Sequence, residues 1–261
     1  MKLFQKRDVS IVVIAAVAVQ ILAFCLIDRI MFQPGEIRYT MNFPGVIDVS
    51  TNEATVAAFV AGNLQKGKVI LYCHGNAEDI LDSSSRFVFL SEHGCAFSAV
   101  DYPGYGCSAG RPSESGCYGN VTRLYNWLVD EQKVSPTNII VVGFSIGTGP
   151  AVELASKRNV GALILMAPFL SAPRVMTHIR LLLCDPFQNE RKICNVRCPC
   201  VIIHGTKDTV IPVSHGMQLY ESVKAPKKLV KVVGAGHNDL IDMLGEDAFM
   251  GLVMNVEDLI K

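Results

Sequence analysis

The chain has 261 residues, half of them apolar, which is enough to bury one sizeable core in a single domain. Its 24 lysine and arginine residues balance 24 aspartate and glutamate residues, and no long block of like charge stands out, which excludes the basic footprint of a nucleic-acid binder. The nine cysteines are odd in number and scattered, several in apolar runs such as Leu71-Tyr72-Cys73, so mostly free thiols are expected. Cys198-Pro199-Cys200 lacks the C-x-x-C spacing of redox and zinc sites and no second pair completes a tetrahedral set, so no metal or cofactor is implied.

The amino terminus differs from the rest. Residues 9–27 carry no charge, and only Ser10 and Gln20 interrupt the apolar run. As a helix this run would reach about 28 Å, close to the hydrocarbon thickness of a bilayer. The expectation is a short basic tail over 1–8, a single transmembrane helix over 9–27, a connector over 28–40 and a catalytic domain over 41–261. A cleaved signal peptide and a buried first helix are the competing readings. Ala23-Phe24-Cys25 is a poor cleavage site, and Phe24 also argues against lipoprotein processing at Cys25. Lys2, Lys6 and Arg7 precede the run, and Arg29 and Arg38 follow it. That bias puts the catalytic domain on the non-cytoplasmic side.

Beyond Gln33-Pro34-Gly35, short β-branched runs alternate with longer amphipathic segments, the pattern of a mostly parallel sheet flanked by helices. Strands are predicted over 56–60, 69–73, 96–100, 139–142, 162–166, 200–204 and 229–233, the later ones as apolar runs buried on both faces. After Pro112, the residues Val121, Leu124, Tyr125, Leu128 and Val129 fall on one helical face that would lie on the sheet. Pro212 suits the first turn of a helix, where its missing N–H costs nothing. No internal repeat or low-complexity tract appears.

The chemistry centres on Gly143-Phe144-Ser145-Ile146-Gly147, a G-x-S-x-G between a predicted strand and a helix-compatible segment. The bare pattern arises by chance in roughly one chain in ten of this length, and its context between strand and helix is what gives it weight. A sharp strand-to-helix turn exposes the serine hydroxyl, and glycines at both flanks allow neighbouring elements to approach. A serine hydroxyl needs a base, and the base needs an acid to hold its tautomer, in the chain order serine, acid, histidine. His204-Gly205-Thr206-Lys207-Asp208 follows one strand and supplies Asp208 as the acid. Gly234-Ala235-Gly236-His237 follows the next and supplies His237 as the base. Both fall at the sheet edge where open α/β folds place their sites.

Other residues compete for these roles. His204, at a strand end, is expected to order the acid loop by hydrogen bonding. His93, His178 and His215 lack the strand-loop context, and Asp185, before Pro186, is the alternative acid. The N–H of Ile146, next to the serine, is the expected first oxyanion donor, and that of Asn76 in Cys73-His74-Gly75-Asn76-Ala77 the second. Asp101-Tyr102-Pro103-Gly104-Tyr105-Gly106 is a further glycine-rich loop, read as shaping the pocket mouth. It matches neither G-x-G-x-x-G nor a G-K-[ST] ending, which disfavours nucleotide binding.

With Gly110-Arg111-Pro112-Ser113-Glu114 and Gly236-His237-Asn238-Asp239, these motifs form an ordered set. From about Val69 to its end, the chain resembles the small α/β-hydrolase-domain serine hydrolases that include membrane-bound protein depalmitoylases. Hydrolases labelled serine aminopeptidase-like look similar. The resemblance implies an α/β-hydrolase fold with a minimal lid and a substrate that is an acyl ester or thioester, carried by a lipidated protein or a lipid. The departure is at the front. Depalmitoylases of that branch carry a cysteine-rich, lipidated amino terminus, where this chain has basic residues and then the apolar run. Acyl transfer through Ser145 is the expected reaction, with a peptidase and a silent binding module as rivals. The stretch between Leu170 and Pro199 is the place for a lid and is too short for a cap domain, so an open site is expected.

Overall fold

The computed structural model describes residues 28–29, 31–51, 54–87, 89–177 and 185–256, together with Ile14 and Asp258. The helix expected over 9–27 therefore lies outside the described residues except for Ile14, as do the tail over 1–8 and His178. Among the described residues, no helix is long and apolar enough to cross a membrane.

One eight-stranded sheet organises the domain, in the order β1-β2-β4-β3-β5-β6-β7-β8. Its strands are β1 (Val46–Asp48), β2 (Ala57–Ala61), β3 (Val69–Cys73), β4 (Ala96–Val100), β5 (Ile139–Phe144), β6 (Ala162–Met166), β7 (Cys200–Gly205) and β8 (Lys227–Val232). β4 and β3 through β8 pair in parallel, while β1 pairs with β2 and β2 with β4 antiparallel. The chain passes from β3 to β4 on one side and then to β5 on the other. This reversal opens a crevice beyond the carboxyl ends of β3 and β5, where α/β sheets bind ligands.

The central strands are buried end to end, and their side chains divide by a period of two. Leu71, Val141, Leu165 and Ile202 enter one apolar layer, and Ile70, Tyr72, Val142, Ile164 and Ile203 the other. Helices α1 (Ile80–Arg86), α2 (Glu114–Asn126), α3 (Thr148–Lys157), α4 (Val213–Ser222) and α5 (Glu246–Met254) cover the two faces. α2 starts at Ser113, whose hydroxyl accepts the Gly116 N–H. Its buried face carries Val121, Leu124 and Tyr125, continued by Leu128 in a widened π turn over Trp127–Glu131.

Two local expectations are corrected. β8 is an edge strand and half-exposed for most of its length, because Lys227, Lys228 and Lys231 keep it from being buried on both faces. Pro212 caps α4 with extended ψ and stands one position before the first turn. β1 carried no sequence signal, being three residues long and only partly covered. In the segment expected as a connector, Phe32 and Tyr39 are buried, one in each apolar layer.

Candidate active site

Ser145 follows the last residue of β5 with φ of 52°, in the left-handed region. For a residue with a Cβ this stores about 1–3 kcal/mol of strain, held by the packing around it. A single 3-10 turn, Ser145–Gly147, leads into α3, and the Thr148 hydroxyl donates to the Ser145 carbonyl at 2.7 Å. The glycines are needed by contact. A Cβ on Gly147 would overlap the Cys73 carbonyl oxygen and lie 2.5 Å from that of His74, and one on Gly143 would lie 2.7 Å from the Ala151 Cβ. The turn is thus pressed onto the end of β3, whose Cys73 pairs in register with Gly143.

Beyond β7 and β8, two loops are stitched together. Thr206 N–H donates to Val232 C=O at 3.0 Å, Lys207 N–H to Ala235 C=O at 2.8 Å, and Gly234 N–H to the Thr206 hydroxyl at 2.9 Å. Gly205 allows this, since a Cβ there would overlap the carbonyl oxygens of Ala235 and Gly236. The result brings Ser145, Asp208 and His237 together. His237 Nδ1 is 2.8 Å from Asp208 Oδ2, and its Nε2 is 3.0 Å from Ser145 Oγ. With Asp208 ionised, Nδ1–H donates to the carboxylate and leaves Nε2 free to accept the serine proton. The Phe144 ring lies 5.1 Å from the imidazole and packs against it.

Burial pushes the Asp208 carboxyl up, but hydrogen bonds from His204, His237 and the Ile211 N–H outweigh it and hold the group well below the usual carboxylate range. The Val210 and Ile211 N–H groups donate to Oδ1 at 2.9 and 2.7 Å. His204 is fully buried beneath this loop, its Nε2 2.8 Å from the Ile211 carbonyl and 3.5 Å from Asp208 Oδ2, in line with an ordering role. Asp185 bonds the Ser171 hydroxyl at 3.1 Å and is not brought to His237. His93 Nδ1 donates to Phe89 C=O four residues back in its own helical turn, and His215 Nδ1 accepts the Leu170 N–H at 3.3 Å.

The loop after β3 begins where the serine turn packs against the Cys73 and His74 carbonyls. Gly75 N–H is taken by Glu78 Oε2 at 2.8 Å, which leaves the next amide, that of Asn76, as the candidate donor there. Ile146 is buried at the head of the turn into α3. The loop's support was not foreseen. Asn76 Nδ2 donates to Met31 C=O at 2.8 Å, and its Oδ1 accepts from Gln33 N–H at 2.9 Å and from the Tyr105 hydroxyl at 2.6 Å. The Tyr102 hydroxyl donates to His74 C=O at 2.8 Å, and the two rings stack with centroids 4.0 Å apart.

The glycine-rich loop from Asp101 is therefore a buttress and not a rim. Asp101, Tyr102 and Tyr105 are buried. Asp101 accepts the Ile80 N–H at the start of α1 at 2.9 Å and the Tyr39 hydroxyl, and its Oδ1 lies 3.6 Å from His74 Nε2. Burial pushes its carboxyl up to about 7 against the pull of Tyr39 and Ile80, and neighbouring Asp79 and Asp82 push it the same way. Burial also pushes His74 below the usual imidazole range, and Nδ1 donates to Gly75 C=O at 2.8 Å.

A family profile described as the alpha/beta hydrolase fold matches residues 68–192. In shape the chain is similar to an esterase of Pyrococcus furiosus, with a TM-score of 0.70 at 17% identity over 87% of this chain and 98% of that one. It is also similar to the thioesterase domain from the curacin biosynthetic pathway, with a TM-score of 0.62 at 17% identity over 80% of this chain and 98% of that one. The chain has the fold of the α/β-hydrolase superfamily. The sequence is 41% identical over 174 residues to the alpha/beta hydrolase domain-containing protein aho-3 of Caenorhabditis elegans, covering 66% of this chain and 52% of the relative. It is 39% identical over 180 residues to alpha/beta hydrolase domain-containing protein 17B of Homo sapiens, covering 68% and 62%. The chain thus spans about half to three fifths of the length of the curated relatives it matches.

Proposed function

We propose that the chain is a serine hydrolase that cleaves the ester or thioester bond of acyl substrates through an acyl-enzyme. The observation that carries this reading is the placement of His237 between Ser145 Oγ at 3.0 Å and Asp208 Oδ2 at 2.8 Å. His237 takes the Ser145 proton as Oγ attacks the carbonyl carbon, and Asp208 stabilises the imidazolium that forms. The Ile146 and Asn76 N–H groups hold the oxyanion. His237 then gives its proton to the leaving alcohol or thiol, and a water activated by the same imidazole releases the acid.

Two features support an acyl chain on a membrane-associated carrier as the substrate, with the thioester of a lipidated protein as the preferred case. One is the resemblance to α/β-hydrolase domain-containing proteins. The other is the uncharged run over 9–27, read as a single-pass anchor with the catalytic domain on the non-cytoplasmic side. The test is covalent labelling by a fluorophosphonate in parallel with turnover of acyl esters and thioesters. Wild type should label and turn over both substrates. Ser145→Ala should do neither, with a loss on the order of a millionfold. A wild-type chain that stays unlabelled beside an active control hydrolase would sink the proposal.

A further inference from the structure

One side chain ties the amino-terminal strap to the candidate oxyanion loop. Asn76 grips the Met31 carbonyl and the Gln33 N–H on either side of Phe32, and Tyr105 holds the same amide from behind. Phe32 is buried, with its ring 6.1 Å from that of Phe187. Its N–H donates to Asp28 C=O at 3.0 Å, which closes one helical turn. Four residues at helical rise cover about 6 Å. Asp28, the first residue after the uncharged run, therefore stands one turn from a segment clamped beside the crevice.

A second observation lies at the same edge of the sheet. Val210, 52% exposed, sits in the Asp208 loop, and Val233, 81% exposed, follows β8. Met243, 51% exposed, extends its methyl to 3.6 Å from where a Cβ on Gly234 would be. Ile37, 68% exposed, precedes Arg38, which pairs with Asp79 and Asp82 at the start of α1. The first three lie beyond the ends of β7 and β8 and the fourth beyond the end of β3, so they flank Ser145, at the end of β5, on both sides. Exposed Lys207 stands among them, with a stem long enough to lie along apolar surface while its ammonium reaches a phosphate. Single exposed apolar side chains need no explanation. Here they share an edge with the point where the uncharged run enters the domain.

We infer that this edge is the face that seats on the lipid bilayer holding the amino-terminal run, so that acyl chains reach Ser145 from that same bilayer. The inference rests on the membrane-anchored reading given above and adds the orientation of the domain. Apolar side chains on such a surface sink to the boundary between headgroups and acyl chains.

The sequence supplies its own control. Trp127, the single tryptophan, ends α2 and precedes β5, which places it at the opposite edge of the sheet. Full-length chain is reconstituted into phosphatidylcholine vesicles with plain or brominated acyl chains. Flotation with the vesicles reports the anchor, and tryptophan emission reports which edge meets lipid. The Val233→Trp chain in a Trp127→Phe background should lose most of its emission in brominated vesicles, and wild type should lose none. Met243→Trp in the same background provides a second position, and fluorophosphonate labelling checks that each variant is folded. A chain that floats while both introduced tryptophans stay unquenched overturns the orientation and leaves the anchor standing, as does quenching of Trp127. A blue shift without bromine-dependent quenching would mean that a second copy covers the rim, and would equally overturn the inference. A chain that does not float overturns the anchor and the seating together.

Discussion

His204 holds both ends of the loop that carries Asp208, since its Nε2 donates to the Ile211 carbonyl at 2.8 Å and lies 3.5 Å from the Asp208 carboxylate. Removing that imidazole leaves the acid in the sequence and frees its position. His204→Leu should lower kcat/KM by about 10- to 100-fold, since a small displacement of one member of such a relay is enough for that loss. Fluorophosphonate labelling of Ser145 should slow without disappearing. Unchanged kcat/KM in a folded variant would remove the role assigned to His204.

Asp208→Asn should be far more severe. An amide can present its N–H to His237 Nδ1, which favours the wrong tautomer and takes away the acceptor that Nε2 offers to the Ser145 hydroxyl. The expected loss in kcat is on the order of 10⁴-fold. Asp185→Asn measured in parallel should leave kcat within a few-fold, because its carboxylate bonds Ser171 and not the imidazole.

Asn76→Ala separates a backbone role from a side-chain role. The variant keeps the N–H assigned to the oxyanion and loses all three contacts that fix the loop. A drop in kcat of about 10- to 100-fold with little change in KM is expected, as for a misplaced oxyanion donor. Tyr105→Phe removes one of the three bonds and should fall between wild type and Asn76→Ala. Equal kcat values for all three chains would show that the clamp does not reach the reacting centre.

Asp101 gives the fold a pH dependence of unusual sign. Its carboxyl is ordinarily near 3.8 and is pushed up to about 7 in the fold. Between those values the unfolded chain has lost a proton that the folded chain still holds, so stability falls as pH rises through the window. The full effect is about 4 kcal/mol at most. Asp208 acts in the opposite sense, because its depressed carboxyl contributes stability that is present above the ordinary carboxylate range and lost as pH falls below it. Urea unfolding between about pH 4 and pH 7 should show the loss in wild type and a flatter profile in Asp101→Asn. Parallel profiles would rule Asp101 out as the source.

Gly147→Ala tests the contact between the serine turn and β3. The added methyl has no space against the Cys73 and His74 carbonyl oxygens, which are backbone atoms and cannot swing away. A loss of about 3 kcal/mol is expected, read as a lower urea midpoint. Gly119→Ala, where nothing lies within 4 Å of the new atom, serves as the control and should be neutral or slightly stabilising.

What could be read from the sequence follows from how local each signal is. The parallel core strands announce themselves as apolar runs because both faces are covered, and Ser145 and Asp208 sit in short loops directly after such runs, while His237 follows the half-exposed β8. β8 was placed two residues late because Lys227 and Lys228 interrupt the apolar run, although Lys227 pairs in register with Cys200. The clamp on Asn76 leaves no signal, since its partners Met31, Gln33 and Tyr105 stand 29 to 45 residues away in two separate segments. Tyr39 meets Asp101 across 62 residues, and a lone tyrosine in a connector does not reveal that contact. The glycines of the buttress loop are visible in the sequence, and the burial of Asp101, Tyr102 and Tyr105 is not.

The two margins of the sheet also limit how it can grow. At one end, β1 offers three residues, too short a template for another strand. At the other, β8 carries Lys227, Lys228 and Lys231, and a second chain laid alongside would have to bring its own lysines against them or strip their water. Strand-by-strand pairing is disfavoured at one end by the shortness of β1 and at the other by the lysines of β8, of which Lys231 is exposed. Among the described residues, a chain whose core strands are as apolar as these thus presents no long uncharged margin along which fibres could zip together.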